Sequence, residues 1–402
     1  MSQSLVILGR QPALGLAELE SLYGADKIRP VGDSAALLDT HHSEVAFDRL
    51  GGSLKLTKLL HSFPETHWKT IENYLVENLP KHLPSTSDGK LTIGLSVFGL
   101  PTSNKQLLAT GLTVKKALRG HGKSVRLVPN KAPALNSAQV IHNKLFGANG
   151  WELVFVKDGQ QVLMCLTVKE QDIEAYTARD QERPKRDSKV GMLPPKLAQI
   201  IVNLAGNHVP PTGATITSDS EPRRSRLLDP FCGTGVILQE ALLMGYDVIG
   251  ADLEPRMVEY STANLDWLAQ RLATVGTVGL ETGDATTISW PPFDLIACET
   301  YLGRPFSQEP DPQTLQKVMQ DVETIHKKFL RNVAEQTKSG FRMCIAVPAW
   351  HTRSGVKHLK ALDSLEELGY NRMSFVHASD KDLVYHREGQ VVGRELVVLV
   401  RK

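Results

Sequence analysis

At 402 residues the chain exceeds what one ordinary hydrophobic core holds, so two or three domains are expected. A 41% hydrophobic content excludes a disordered chain, and a formal net charge of +2 carries no whole-chain signal for nucleic acid. The four cysteines, Cys165, Cys232, Cys298 and Cys344, form no C-x-x-C pair, which excludes a zinc knuckle or disulfide framework; no metal site is expected, and no apolar run reaches the length of a membrane span. The first nine residues lack the basic flank and apolar length of a signal peptide, so a cytoplasmic protein is expected.

Leu5 to Leu8 reads as a strand, followed by a helix with Leu16, Leu19 and Leu22 on one face. Arg49 to Leu60 and Trp68 to Leu83 read as further strand and helix pieces, and Pro84 to Lys90 as a turn-rich break. Leu91 to Phe98 is a strand, and Ser103 caps a basic helix through Leu118. Val125 to Val128 is a strand and Leu135 to Phe146 a helix. Trp151 to Val156 and Gln161 to Val168 are strands joined by a turn at Lys157-Asp-Gly. Between Leu100 and Trp151 there is no Asp or Glu, while Lys105, Lys115, Lys116, Arg119, Lys123, Arg126, Lys131 and Lys144 all fall there. Such one-signed clustering suits a phosphate-binding face as well as a plain solvated surface.

A polar connector, Tyr176 to Val190, leads into alternating strands and helices. Arg226 to Asp229, Asp247 to Ala251, Phe293 to Ala297 and Phe341 to Val347 are the strands. Val236 to Met244, Pro255 to Leu272 and Leu315 to Gln336 are the helices, and 207–226 reads as a mobile loop. Arg372 to His377 and Arg394 to Val400 follow one another without a helix, so they should pair antiparallel. The expected fold is α/β, a Rossmann-like domain with a mostly parallel seven-stranded sheet and one antiparallel strand, preceded by an α+β region. The expected boundaries are 1–89, 90–175, a linker at 176–190, and 191–402.

The strongest motif is Leu227-Leu-Asp-Pro-Phe-Cys-Gly-Thr-Gly-Val-Ile237, a strand, a glycine loop and a helix. Gly233 and Gly235 let the backbone approach a ligand closely. A dinucleotide fits poorly, because Leu238 replaces the third glycine and Asp229 at the strand tip would repel a pyrophosphate. A carboxylate there suits the ammonium of S-adenosylmethionine (SAM), with Phe231 in the same loop. Asp252 ends the next strand, where it would accept from ribose hydroxyls, with Leu253 or Met257 against adenine. Asp284 is placed to accept from the adenine amino group. The alternative for Asp229 and Asp252 is a helix cap, and for Asp284 a simple turn. At the next strand end lies Asp294-Leu-Ile-Ala-Cys-Glu-Thr-Tyr-Leu-Gly-Arg-Pro-Phe306. Methylating an exocyclic base amine needs a carboxylate and a carbonyl to orient its hydrogens and a ring to hold the base. Glu299 is the candidate acceptor, and Tyr301 or Phe306 the ring.

Together these residues resemble the THUMP-containing tRNA guanosine-N2 methyltransferases. The matching segments are Tyr176-Thr-Ala-Arg-Asp-Gln-Glu-Arg-Pro-Lys-Arg-Asp187, Val190-Gly-Met-Leu-Pro-Pro-Lys-Leu-Ala198, Asp229 to Gly235, and Leu383 to Glu395. The resemblance implies a THUMP-like RNA-binding domain at 90–175, tRNA as partner, methyl transfer to guanine N2, and Pro195 and Lys196 near the methionine moiety of SAM. Lys105, Lys115, Lys116, Arg119 and Arg126, with Arg183 and Arg186 of the linker, are the candidate RNA contacts; a linker ion-pair network is the alternative for the last two. Glu299-Thr-Tyr-Leu302 departs from the family's Asp-Pro-Pro-aromatic motif, losing both prolines and lengthening the carboxylate arm. This leaves open a non-catalytic SAM-fold RNA-binding protein, an rRNA or DNA substrate, and a small activating subunit.

Overall fold

The computed structural model describes residues 3–83, 89–187, 192–206, 224–306 and 308–402. The loop expected at 207–226 therefore falls outside the described residues up to 223, as do most of the break at 84–90 and the end of the linker at 188–190. The chain forms two compact units, one of residues 1–16, 24–48 and 52–173, the other of 17–23, 49–51 and 174–402.

The first unit is built on one eight-stranded sheet. In chain order its elements are β1 (Ser4–Leu8), the start of α1 (Pro12–Tyr23), β2 (Ile28–Val31), β3 (Ala35–Leu38), β4 (Ser53–Phe63), α2 (Trp68–Asn78), β5 (Leu91–Phe98), α3 (Asn104–Gly120), β6 (Val125–Leu127), α4 (Ser137–His142), β7 (Gly150–Asp158) and β8 (Gln161–Glu170). The strand order is β2-β3-β1-β4-β8-β7-β5-β6, parallel only where β5 meets β6 and β7. The segments 1–89 and 90–175, expected as separate domains, thus share a sheet, joined where β4 pairs β8. On α1 the buried face is Leu14, Ala17, Glu18 and Leu19, whereas Leu16 and Leu22, expected inside, are only half-buried. The helix expected over 135–146 is shorter. Asn136 caps it with a capping box, and Lys144 at φ 50° closes it. A buried Lys55 joins β4 to the Glu152 carboxylate at 2.7 Å and Glu170 at 3.2 Å, and burial pushes the Glu170 acid up to about 7.

The second unit contains α5 (Ile173–Thr177), α6 (Pro195–Ala205), β9 (Arg226–Asp229), α7 (Val236–Leu243), β10 (Asp247–Asp252), α8 (Pro255–Arg271), β11 (Val278–Thr282), β12 (Leu295–Glu299), α9 (Pro312–Gln336), β13 (Arg342–Thr352), β14 (Gly355–Lys357), β15 (Tyr370–Arg372), β16 (Val384–Tyr385) and β17 (Val392–Arg401). Seven strands run in the order β11-β10-β9-β12-β13-β17-β15, with β14 and β16 as short additions. The four pairings from β11 to β13 are parallel, and β17 runs against both its neighbours. The strand expected at 372–377 ends at Arg372. Beyond it the N–H groups of Val376 and His377 donate to the Glu20 carboxylate at 2.8 and 3.0 Å instead of extending the ladder.

This unit also incorporates Ala17–Tyr23 and Arg49–Gly51 from the front of the chain. Asn203 of α6, wholly buried, donates to Glu18 Oε1 at 2.7 Å and to the Arg49 carbonyl at 2.8 Å. Arg342 reaches Ser21 at 2.8 Å, and a Cβ on Gly51 would lie 1.9 Å from the Lys196 carbonyl oxygen. All four cysteines are free and buried; burial pushes Cys165 and Cys344 up to about 12 and Cys232 and Cys298 well above the usual thiol range. Among the described residues no helix is long and apolar enough to cross a membrane.

Candidate cofactor and acceptor site

Because β9, β10 and β12 are parallel neighbours, the carboxylates that end them, Asp229, Asp252 and Glu299, are delivered to one edge of the sheet. Asp229 is 2% exposed, and its Oδ1 accepts from the Phe231 N–H at 3.1 Å. Burial pushes its acid well above the usual carboxylate range. The Phe231 N–H works against that shift, and the charges of Asp252 and Glu299 add to it. Asp252 accepts from the Gly233 N–H at 2.9 Å and the Glu254 N–H at 3.0 Å, and burial raises its acid too. Neither aspartate caps the helix that follows it: Gly235 stands at the cap of α7 and Glu254 at that of α8. An arrangement of negative charge with too little positive charge of its own is chemically suited to a cationic ligand.

The glycine loop is shaped from behind. Gly235 adopts φ 80°, and a Cβ there would lie 3.0 Å from Ser261 Oγ on α8. Gly233 adopts φ 52°, and a Cβ there would meet the Phe231 carbonyl oxygen at 3.9 Å, an ordinary contact. Ser261 donates to the Gly233 carbonyl at 2.8 Å, and Asn264 to that of Thr234 at 2.8 Å. Leu253 is 66% exposed beside Asp252, while Met257, the other adenine candidate, is buried. Phe231 turns its ring onto Phe329 in the core, with centroids 5.0 Å apart. Asp284 is exposed, and its carboxylate accepts from Thr286 N–H at 2.8 Å, the turn arrangement. Pro195 opens α6; Lys196 lies with its ammonium 5.0 Å from the centre of the Tyr176 ring.

The acceptor segment is held by two residues that sequence reasoning missed. Arg394 of β17, 6% exposed, donates to both oxygens of Glu299, through Nε to Oε2 and through Nη2 to Oε1 at 3.4 Å. Glu299, the candidate acceptor, is thus ion-paired. A carboxylate offers about four lone-pair sites, so two donors leave it able to accept more. Thr300 stands at the position of the first proline in the acceptor motif that this segment resembles. Its hydroxyl is 2.6 Å from Nε2 of His326 on α9 and 3.0 Å from the Ala346 carbonyl, to which the Thr300 N–H donates at 3.0 Å. Burial lowers His326 to about 4, so the ring is neutral. Its Nδ1–H donates to the Val322 carbonyl at 2.8 Å, which leaves Nε2 to accept the threonine proton. Hydrogen bonds replace the stiffness the prolines would have given. Tyr301 is 44% exposed at the strand tip, whereas Phe306 packs against the core with the Arg304 guanidinium 5.4 Å from its centre. Of the two candidate rings Tyr301 is therefore the more exposed.

The linker corrects one expectation. Arg183, expected to reach RNA, is 3% exposed and donates to Thr234 Oγ1 of the glycine loop at 3.1 Å. Its neighbour Arg179 pairs with buried Glu240 of α7 at 2.8 Å. Lys185 exchanges main-chain hydrogen bonds with the Asn264 side chain, and Arg271–Glu182 and Arg256–Asp187 pair along α8. The described linker is a strap behind the loop; Arg186 alone of the two predicted contacts is exposed.

In the first unit, Ser103 caps α3 with a full capping box, and Leu107, Val114 and Leu118 bury its apolar face. Lys105, Lys116 and Arg119 on α3 and Arg126 on β6 are exposed, and Lys115 is half-buried. Exposed Leu108 and Leu112 lie among them.

Residues 223–387 match the family described as a methyltransferase domain. Over 75 residues, 19% of the chain, it is 47% identical to a tRNA (guanine(10)-N2)-dimethyltransferase from Methanothermobacter thermautotrophicus. Over 221 residues, 54% of the chain, it is 27% identical to the protein of the same name from Pyrococcus abyssi. The alignments span only 18% and 55% of those relatives' lengths. The crystal structure of TrmN from Thermus thermophilus superposes over the whole of both chains, with a TM-score of 0.51 at 18% identity. The second unit therefore has the Rossmann-like fold of methyltransferases, and residues 223–387 are similar to the methyltransferase-domain family.

Proposed function

We propose that the chain is a SAM-dependent tRNA methyltransferase whose acceptor is the N2 amine of a guanine. The observation that carries this reading is the meeting of Asp229, Asp252 and Glu299 at the edge of the sheet around the Gly233–Gly235 loop. When bound, SAM supplies an electrophilic methyl group. Asp229 holds the ligand's ammonium, Asp252 accepts from its ribose hydroxyls, and Leu253 offers an apolar surface to adenine. Asp284 accepts from the adenine amine, with Pro195 and Lys196 toward the methionine end. The target base leaves its stack to reach the site. Tyr301 stacks on it, and Glu299, steadied by Arg394, and the main chain at Thr300 orient the two amine hydrogens so that the nitrogen lone pair is presented. Glu299 or solvent takes the proton released.

The relatives' names, the acid-free basic face of α3 and the connector motif support tRNA as the substrate and a THUMP-like role for 90–175 in gripping it, with Arg126 and Arg186 as further phosphate contacts. A cytoplasmic site of action and a small activating subunit belong to the same reading. The test is to incubate the protein with methyl-labelled SAM and mixed tRNA, digest the RNA, and identify the nucleoside by mass spectrometry. N2-methylguanosine or its dimethyl form is expected. The Glu299–Arg394 pair favours one rival, an RNA-binding protein that has kept the SAM fold without catalysis. SAM binding with no methylated product from tRNA, rRNA or DNA, both for the chain alone and with the activating subunit supplied, would favour that rival.

A further inference from the structure

Of the segments that resemble the tRNA guanosine-N2 methyltransferases, Leu383 to Glu395 has no part in the reading above except through Arg394. The register of the sheet places more of it beside the acceptor carboxylate. Glu299 of β12 pairs Ala346 of β13, and Ala346 pairs Leu396 of β17, two residues from Arg394. Paired residues, and residues two apart on a strand, share one face of a sheet. Glu299 and Arg394 therefore point to the same side, as their ion pair requires. Tyr385 of β16 pairs Arg394 along the edge of β17 away from β13, so it stands on that side too. Val384 pairs Glu395 and turns to the opposite face. Between β12 and β16 lie three strand spacings of about 4.8 Å, roughly 14 Å, and Arg394 bridges two of them.

Arg387 follows Tyr385 by two residues, where the chain leaves β16. It is exposed, and Tyr385 is half-buried. The Arg387 Nε–H donates to the Tyr385 hydroxyl oxygen at 2.9 Å, and the guanidinium lies 5.7 Å from the centre of the tyrosine ring. Nε is thus spent on the brace, and the two terminal amino groups are left for a ligand. A guanidinium presents such groups as a planar fork that matches a phosphate. The hydroxyl accepts one bond and can still donate its own proton, a further donor beside the fork. Two of the acids nearby are already engaged: Glu299 by Arg394, and Glu395, on the other face, by Arg372 and His358. Glu388, next in the chain, is exposed to water and salt, which screen it.

We infer that Arg387, braced by Tyr385, grips a backbone phosphate of the RNA flanking the target nucleotide. This rests on the RNA reading above. In that reading the cofactor takes the β9 and β10 side of Glu299, which leaves the β13, β17 and β16 side to the substrate. A base drawn out of its stack brings its sugar and phosphates with it, and they must be held outside the pocket that takes the base. Arg387 is a cation on that side, one strand beyond the partner of Glu299. Such a contact positions the nucleotide and reads no sequence. Base stacking is the lesser use of Tyr385, because its ring is half-buried and carries the guanidinium.

The experiment compares the intact chain with Arg387→Ala, Arg387→Lys and Tyr385→Phe. It measures melting temperature, SAM affinity, tRNA affinity over a salt series, and kcat and KM for tRNA. It also maps, on one tRNA that the protein methylates, the phosphates whose ethylation blocks binding. Arg387→Ala is expected to bind tRNA at least ~10-fold more weakly, the loss of one hydrogen-bonded charge. Its salt slope should fall by roughly 0.7, one phosphate contact on unpaired RNA. Arg387→Lys should keep the slope and raise KM several-fold, since an ammonium lacks the fork. Tyr385→Phe should also raise KM at constant slope. Melting temperature and SAM affinity should not change. Ethylation beside the methylated guanosine should weaken wild-type binding and make no further difference to Arg387→Ala. Wild-type protein that binds and methylates tRNA, with Arg387→Ala equal to it in affinity and slope or equally sensitive to that ethylation, would overturn this inference alone. Loss of SAM affinity or of melting temperature in step with tRNA affinity would make the pair a support of the fold and refute it as well. Wild-type protein that binds no tRNA would overturn the proposed function and the phosphate contact together.

Discussion

Asp229 shows how a single buried acid can serve a ligand at the expense of the empty protein. Because its folded-state acid is raised above the unfolded one, the stability it contributes is present below the usual carboxylate range and is lost as pH rises through the raised value. A cation bound at that place offsets the loss. Asp229→Asn should therefore melt no lower than the parent without ligand at neutral pH and show a flatter dependence of melting temperature on pH between 4 and 8. Its SAM affinity should fall by about 1.5–3 kcal/mol, the range for a hydrogen bond to a charged group, or roughly 10–200-fold. Thermal melts across pH with and without S-adenosylhomocysteine, and calorimetric titration, check both parts. A variant less stable than the parent throughout would mean that Asp229 serves the fold. That a carboxylate ends each of three strands was legible in the sequence, because strand ends and glycine loops have local signatures. The Arg394 and Thr300–His326 supports were not. Each joins positions far apart in the chain, and the sequence signal for Arg394 was only an Arg-Glu pair set into the mostly apolar run Val391 to Val400.

At the scale of elements, long segments with a strong period were readable and short or context-dependent ones were not. Helices α3, α8 and α9 and strands β5, β7, β8 and β17 lie within a few residues of expectation. Strands β2 and β3 were missed. One carries Pro30, tolerated because β2 is an edge strand, and the other, Ala35–Leu38, is buried throughout and has no alternation to recognise. The linker shows a subtler failure, because a run of arginines reads the same whether it faces solvent or is folded under a loop. Its location makes Arg183 a positioning residue for the glycine loop. Arg183→Ala is expected to weaken SAM binding by about 1–2 kcal/mol, roughly 5–30-fold, raising KM for SAM more than it lowers kcat. Arg183→Lys should recover part of the loss. Equal affinity in Arg183→Ala, or a fall in kcat alone, would show that the strap does not shape the cofactor site.

At the scale of the whole molecule, the second unit is not continuous in sequence. A fragment beginning at 176 would lack Glu18, Glu20, Ser21 and Arg49, leaving Asn203, Arg342 and the Val376 and His377 N–H groups without these partners. At about 1–3 kcal/mol for each buried polar group left unpaired, such losses rival the ~5–15 kcal/mol that holds a domain folded. The fragment is expected to melt well below the intact chain and to aggregate in size-exclusion chromatography, whether or not RNA is present. A fragment as stable as the parent would show these bonds to be dispensable. It follows that cutting away the front half is a poor way to ask what that half contributes to RNA binding. The cysteines offer a gentler means. A thiol reacts as its thiolate, and burial keeps all four from ionising and from reagents alike. Alkylation rates under native conditions would then time the opening of the structure around each sulfur, with Cys165 as a clock in the first unit and Cys232, Cys298 and Cys344 as clocks in the second. Mass spectrometry could read all of them in one untagged, unmutated sample.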